Sequence, residues 1–325
     1  MRTPKFLSPS ALGRFEENRD EFYLNYLCEN RPPKIPQTPP MSVGSAFDSF
    51  CKSELYWRAF ARRDEKYTFD YLFARSVEPQ NRDFALEAGK YIFDSYIHSG
   101  AFAALDALLQ ASDRPPQFEF EIEGTVDGTP LLGKPDCRFF HKCGVHVIFD
   151  WKVNGFCSKY ATSPCKYYSI VCDGWGPERA KASRGAGNPH PEYRPVDHRG
   201  IRIHEGFLEE SNKEWADQLS TYAWMLGEPV GSEDVVMAVH QIVAKPVTGE
   251  PPLLRTAAFE ARVSGQWQRT LVERYKKAWT AIKSGLIFDG LSLSECQERA
   301  ELLDHQAAAL SDQTSFGQYV REVTR

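Results

Sequence analysis

The alternation of apolar and polar positions is sharpest between residues 117 and 152. Phe118, Phe120 and Ile122 alternate with Glu119, Glu121 and Glu123, the two-residue period of a strand with one wet face. Asp127-Gly128 is a two-residue hairpin signal, because a type I′ turn needs positive φ at both central positions. It joins 117–125 to a second strand at 130–140. The turn His141-Lys142-Cys143-Gly144 leads into a third, 144–152, where Val145, Val147, Phe149 and Trp151 alternate with His146, Ile148, Asp150 and Lys152. The expectation is an antiparallel meander of three strands. Asp150 and Lys152 then project from one face, roughly 6–7 Å apart by the strand rise.

On either side the period changes to that of helices. Ser8-Pro9 reads as an N-cap followed by proline at the first helical position. Residues 42–60 and 81–110 read as helices, the second broken near Ser99-Gly100, and Pro115-Pro116 closes this part. Between 211 and 227, Ser211 with Glu214 forms a capping box, and Gly227 with Pro229 a stop. Trp215, Leu219, Tyr222 and Leu226 make its apolar stripe, and Gln218 and Tyr222 share a face one turn apart. Val235–Val243 is apolar but for His240 and Gln241, as a central strand would be, and its crossover helix makes it parallel to the strand before. Helices at about 265–285 and 292–310 follow, and the polar tail after Ser311 is expected to fray. The organisation is α/β: a helical part (1–116), a core (117–152 and 204–250), an insertion (153–203) and C-terminal helices (265–310).

Composition narrows the class. A chain of 325 residues with 42% hydrophobic content can bury a large core. Charges break every long apolar run, so no membrane span is expected, and the N-terminus lacks the apolar region of a signal peptide. Eight cysteines without a secretory signal point to reduced thiols and a cytoplasmic protein. Net charge is −5 and the isoelectric point near 6.0, which is not the overall signature of a nucleic-acid binder. The distribution alters that picture. From Lys152 to Ile203 nine Lys and Arg stand against four acids, so this segment carries +5 and the remainder −10. Lys159, Lys166, Lys181 and Arg184 could meet a phosphate backbone, and Tyr168 and Trp175 could stack on unpaired bases. A solvated loop is the plain alternative. Cys157, Cys165, Cys172 and His190 do not have the spacing of a zinc site.

The chemistry-bearing residues converge on the hairpin. Asp136 follows Pro135, and folding the third strand back brings Asp136 towards Asp150. Two neighbouring carboxylates repel each other unless a hard cation such as Mg²⁺ or Mn²⁺ lies between them. Lys152 could hold a hydrolytic water or offset charge developing on a phosphate. Glu121 is a further candidate, either beside the ion or on the wet face of its sheet.

Pro135-Asp136 followed by Asp150-Trp151-Lys152 resembles the motif of the PD-(D/E)XK nuclease superfamily. Downstream, Gln218 to Tyr222 is similar to the QxxxY helix of its RecB-like and phage exonuclease-like branch. Upstream, Gly44 lies four residues before Asp48, where that branch has histidine, and Phe22-Tyr23-Leu24-Asn25-Tyr26-Leu27 resembles its N-terminal helix. The resemblance covers roughly residues 8–226. It implies a restriction-endonuclease-like core, a central mixed sheet flanked by helices, with a long insertion after the third strand. It also implies one or two Mg²⁺ or Mn²⁺ ions on Asp136, Asp150 and Asp48, with Lys152 catalytic and Gln218 and Tyr222 beside the nucleic acid. The activity implied is DNA cleavage, exonuclease before endonuclease, serving recombination, repair or phage replication. A nuclease-fold protein that binds DNA without cutting, beside a recombination or replication partner, is the alternative. Some members carry an iron–sulfur cluster on four cysteines. This chain has Glu17-Asn18 where the first is expected and only Cys296 beyond residue 172, so no such cluster is expected.

Overall fold

A computed structural model describes residues 2–29, 31, 35–118, 120–154, 166–174, 189–247 and 250–323. The N-terminal part is helical, as its capping residues dictate. Helix α1 (Pro9–Glu17) starts where the Ser8 hydroxyl accepts the Ala11 N–H at 3.1 Å. Asn18 likewise caps α2 (Arg19–Phe22), which runs on into a π-helical turn, Tyr23–Leu27. Helix α3 (Pro39–Phe60) ends at Ala61 in the left-handed region, and α4 (Phe69–Ser76) follows. The break expected near residue 100 separates α5 (Arg82–His98) from α6 (Ala101–Gln110) at Gly100, with φ +82°.

The strands depart from a simple meander. β1 (Gln117–Phe118) and β2 (Ile122–Val126) are separate, and so are β3 (Thr129–Gly133) and β4 (Cys137–Phe140). Only β1 and β4 join the central sheet, whereas β2 and β3 form their own two-stranded hairpin. Pro135 explains the second break, since proline cannot donate to a ladder and restricts the residue before it. The Asp127-Gly128 turn is as expected, with φ values of +44° and +75°. β5 (His146–Asn154) pairs antiparallel with β4 and runs two residues past Lys152.

Beyond β5, the segment at 153–203 is not wholly peripheral. β6 (Val171–Gly174) adds an edge strand to the central sheet, while β7 (Pro195–His198) and β8 (Ile201–His204) form a hairpin. A short α7 (Leu208–Ser211) precedes α8 (Lys213–Met225). The cap of α8 is Asn212, whose side chain accepts the Trp215 N–H at 3.0 Å, not Ser211. Ser211 ends α7 and donates to the Lys166 carbonyl, so its hydroxyl serves another contact. Gly227, at φ +91°, closes α8 through N–H bonds from Gly227 to Trp224 and from Glu228 to Ala223.

β9 (Val235–Val247) lies parallel to β5 in the middle of the sheet, as its largely apolar run predicts, and β10 (Glu250–Ala261) pairs antiparallel with it. The order is β1-β4-β5-β9-β10-β6, a mixed sheet flanked by helices. On one face α8 packs Trp215, Leu219 and Tyr222 against Ile148, Met237 and Val239. On the other, α3, α5 and α6 pack Phe47, Ile92 and Phe102 against Phe149 and Trp151. Helices α9 (Gly265–Ser284) and α10 (Leu293–Val323) complete the chain. Asp304 ties α10 to the N-terminal part by accepting from Tyr23 Oη and Cys28 Sγ, both at 2.9 Å. The backbone of α10 stays helical past Ser311, where fraying was expected. Among the described residues no helix is long and apolar enough to cross a membrane.

Candidate active site

The ladder between β4 and β5 brings the two acidic motif residues together. Cys137 faces Phe149 in register, so Asp136, one residue before β4, stands opposite Asp150. The Trp151 N–H donates to Asp136 Oδ2 at 3.0 Å, which fixes that carboxylate against β5. Asp150 and Lys152 share a face and form an ion pair. Lys152 Nζ also donates to Gln218 Oε1 at 3.0 Å, and Gln218 Nε2 donates to Tyr222 Oη at 2.8 Å. Asp150, Lys152, Gln218 and Tyr222 thus form one connected polar chain, with Asp136 opposite Asp150 across the ladder.

Helix α3 supplies the remaining members. Asp48 lies one turn from Lys52, and Lys52 Nζ donates to Asp48 Oδ2 at 2.5 Å and to Asp136 Oδ1 at 2.9 Å. Lys52 is only 3% exposed. Sequence reasoning missed it. Its only signal was the i,i+4 spacing from Asp48, which on most helices marks an exposed pair of little consequence. Gly44, one turn before Asp48, faces Val153 of β5, where a Cβ would make only an ordinary 3.9 Å contact. A groove of about 350 Å³ lined by Met41, Gly44, Asp48, Asp136 and Lys152 opens this centre to solvent.

The electrostatics follow from burial and contact. Burial, reinforced by the charge of Asp136, pushes the Asp150 carboxyl up to about 7. Burial also opposes ionisation of Asp136, but Lys52, Lys152 and the Trp151 N–H outweigh it and hold that carboxyl below its ordinary value. Lys152 is raised above its ordinary value because Asp150 and Asp136 outweigh its desolvation. Tyr222 is pushed up to about 12, first by burial and then by Asp150, so it stays a neutral phenol. The β4–β5 register sets Asp136 and Asp150 opposite each other, and the charge of Asp136 raises the Asp150 carboxyl. An all-oxygen pair of crowded carboxyls is the donor chemistry a hard divalent cation relieves, so these residues fit Mg²⁺ or Mn²⁺. Among the described residues no three His, Cys, Asp or Glu side chains gather into a metal-binding group, and Asp48 faces Lys52.

The other candidates are placed further out. Glu121 is exposed between β1 and β2 and lines a second cleft, of about 880 Å³, that also reaches Gln218 and Tyr222. Lys166 is exposed and 3.9 Å from Glu192. Tyr168 packs edge-on against His190 and Phe259 rather than standing clear of the surface. Lys159, Lys181, Arg184 and Trp175 lie outside the described residues.

Gly133 at the end of β3 makes an exacting contact. A Cβ there would fall 2.6 Å from Tyr222 Cε1 and against Met225 as well, so only glycine lets β3 pass this ring. Gly133→Ala is expected to displace Tyr222, slacken the Gln218–Lys152 contact and cost about 1–3 kcal/mol through overpacking. Thermal melting measures the stability loss. A melting point equal to that of wild type would show that the ring moves freely.

No protein-family model matches the chain, and no curated protein matches it. A solved structure described as "Crystal structure of SSO0001" is 11% identical, covering 83% of this chain and 85% of that chain, with a TM-score of 0.26. A likeness that weak carries no argument about fold or activity.

Proposed function

We propose that this protein is a divalent-metal-dependent DNA nuclease with a PD-(D/E)XK-type core, its end-processing activity serving recombination, repair or phage replication. The observation that carries this reading is the convergence of Asp136, Asp150 and Lys152 at one hairpin, with Lys152 held by Gln218 of α8. Asp136 and Asp150 would hold the ion, and Asp48 lies behind them across Lys52. A bound Mg²⁺ or Mn²⁺ supplies Lewis-acid stabilisation of phosphate charge and lowers the pKa of water. Lys152 keeps its proton and can donate a charge-assisted hydrogen bond to a phosphate oxygen or the attacking water. Gln218 orients Lys152, and the phenol of Tyr222 fixes which way the Gln218 amide points.

The test is incubation of linear, circular and single-stranded DNA with the protein in Mg²⁺, Mn²⁺ or EDTA. Cleavage is expected with either ion and none in EDTA, with linear DNA shortened from its ends. Asp136→Asn is expected to weaken ion binding by at least tenfold in calorimetry, because it removes a full ligand charge. An unchanged affinity would sink the assignment of Asp136 as a ligand. Ion and DNA binding without cleavage would favour a DNA-binding protein that has kept a nuclease fold.

A further inference from the structure

The position of Lys52 bears on how many ions the proposed site takes, an inference that rests on the metal-dependent reading above. We infer that Lys52 is a built-in cation that limits the site to one divalent ion, held by Asp136 and Asp150. The Lys52 ammonium stands between Asp48 and Asp136, 2.5 Å from an oxygen of one and 2.9 Å from an oxygen of the other. A second ion bridging those two carboxylates would need the same place, since magnesium–oxygen distances are roughly 2.0–2.1 Å. Asp136 and Asp150, by contrast, stand opposite each other across the β4–β5 ladder, and the ammonium that pairs with Asp150 is that of Lys152.

Charge balance points the same way. Asp48, Asp136 and Asp150 bring three negative charges, and Lys52 and Lys152 return two. One divalent ion takes the centre from −1 to +1, whereas two ions would leave +3 in a partly buried site. In the DNA-free protein the site's own side chains do not offset that excess, and burying uncompensated charge is strongly unfavourable. Lys52 cannot readily leave, for its side chain is 3% exposed and anchored on α3 among residues packed against the sheet. Its lysine proton also prevents it from acting as a ligand, so it is a positioning residue. It holds one oxygen of Asp136 while the Trp151 N–H holds the other, and each oxygen keeps a further lone pair.

The experiment is Mn²⁺ titration of the metal-stripped full chain, read by calorimetry and by electron paramagnetic resonance. Wild type is expected to bind one Mn²⁺ per chain with the six-line spectrum of an isolated ion. Lys52→Met, uncharged and of similar length, is expected to bind two, with the broadened spectrum of a coupled pair. Lys52→Arg is expected to remain at one. Two coupled ions in wild type, or one ion in Lys52→Met at unchanged affinity, would overturn the inference. Should Lys52→Met fail to fold, Lys52→Gln, also uncharged, is measured in its place and judged by the same two outcomes. No Mn²⁺ binding at all would overturn this inference and the metal-dependent reading together. One ion bound without DNA cleavage would sustain the inference and overturn the nuclease reading alone.

Discussion

Lys152→Ala is expected to lower DNA cleavage by about 10²–10⁴-fold, the range for losing a positioned proton-handling or charge-stabilising group. The reason lies in what the lysine touches. Its ammonium meets Asp150 and Gln218, so it is aimed by two elements, β5 and α8, at the place where the two carboxylates meet. Such pre-aiming costs nothing at the moment of reaction, which is why a single donor can matter this much. The fold should survive, because Lys152 sits near the end of β5 and its side chain is 28% exposed. Ion binding should persist or tighten, since the substitution removes a positive charge from beside the ion. Single-turnover cleavage, with calorimetry and thermal melting alongside, separates these effects. Turnover at the wild-type rate in a folded, ion-binding variant would remove the proposed chemistry.

Asp150→Asn is expected to abolish ion binding and at the same time stabilise the ion-free protein. Asp150 is 3% exposed, and its carboxyl sits near 7 rather than the ordinary 3.8 because of burial and the neighbouring Asp136. A carboxyl raised in the folded state takes up its proton more readily folded than unfolded. Its favourable contribution is complete below the unfolded value and is lost as pH rises through about 7. Ionised Asp150 therefore opposes folding at pH 8 when no divalent ion is bound, since burial and Asp136 outweigh its pairing with Lys152. The amide removes that charge, so melting in EDTA should rise by roughly 1–3 kcal/mol of stability, more at pH 8 than at pH 5. Excess Mg²⁺ should stabilise wild type by mass action and leave the variant unmoved. A variant that keeps wild-type ion affinity, or that melts lower in EDTA at pH 8, would contradict this account.

The two residues also show how far local pattern reaches. Alternation put Asp150 and Lys152 on one face of a strand, and helical spacing put Gln218 and Tyr222 on one face of α8, because side-chain direction along one element depends only on its period. The Asp127-Gly128 turn, the Ser8 cap, the Gly100 break and the Gly227 stop were legible for a similar reason, since each needs a backbone conformation that few residues tolerate. Where two signals competed, pattern failed. Glu119, Glu121 and Glu123 continued the strand period, yet β1 and β2 belong to different sheets. Ser211 read as the cap of α8, but its hydroxyl bonds to a carbonyl forty-five residues away and Asn212 caps the helix.

The sequence by itself determined an α/β chain, the central apolar strand β9, the hairpin that carries Asp136 and Asp150, and the helix that carries Gln218 and Tyr222. Only the tertiary structure decided how these meet. The register of β4 on β5 placed Asp136 opposite Asp150, and the docking of α8 brought Gln218 to Lys152. The packing of α3 buried Lys52 between Asp48 and Asp136. Periods of two and 3.6 residues orient a side chain about its own axis, but contacts between elements depend on the fit of many surfaces at once. A lysine such as Lys52 is indistinguishable from a solvated one until its neighbours have closed around it.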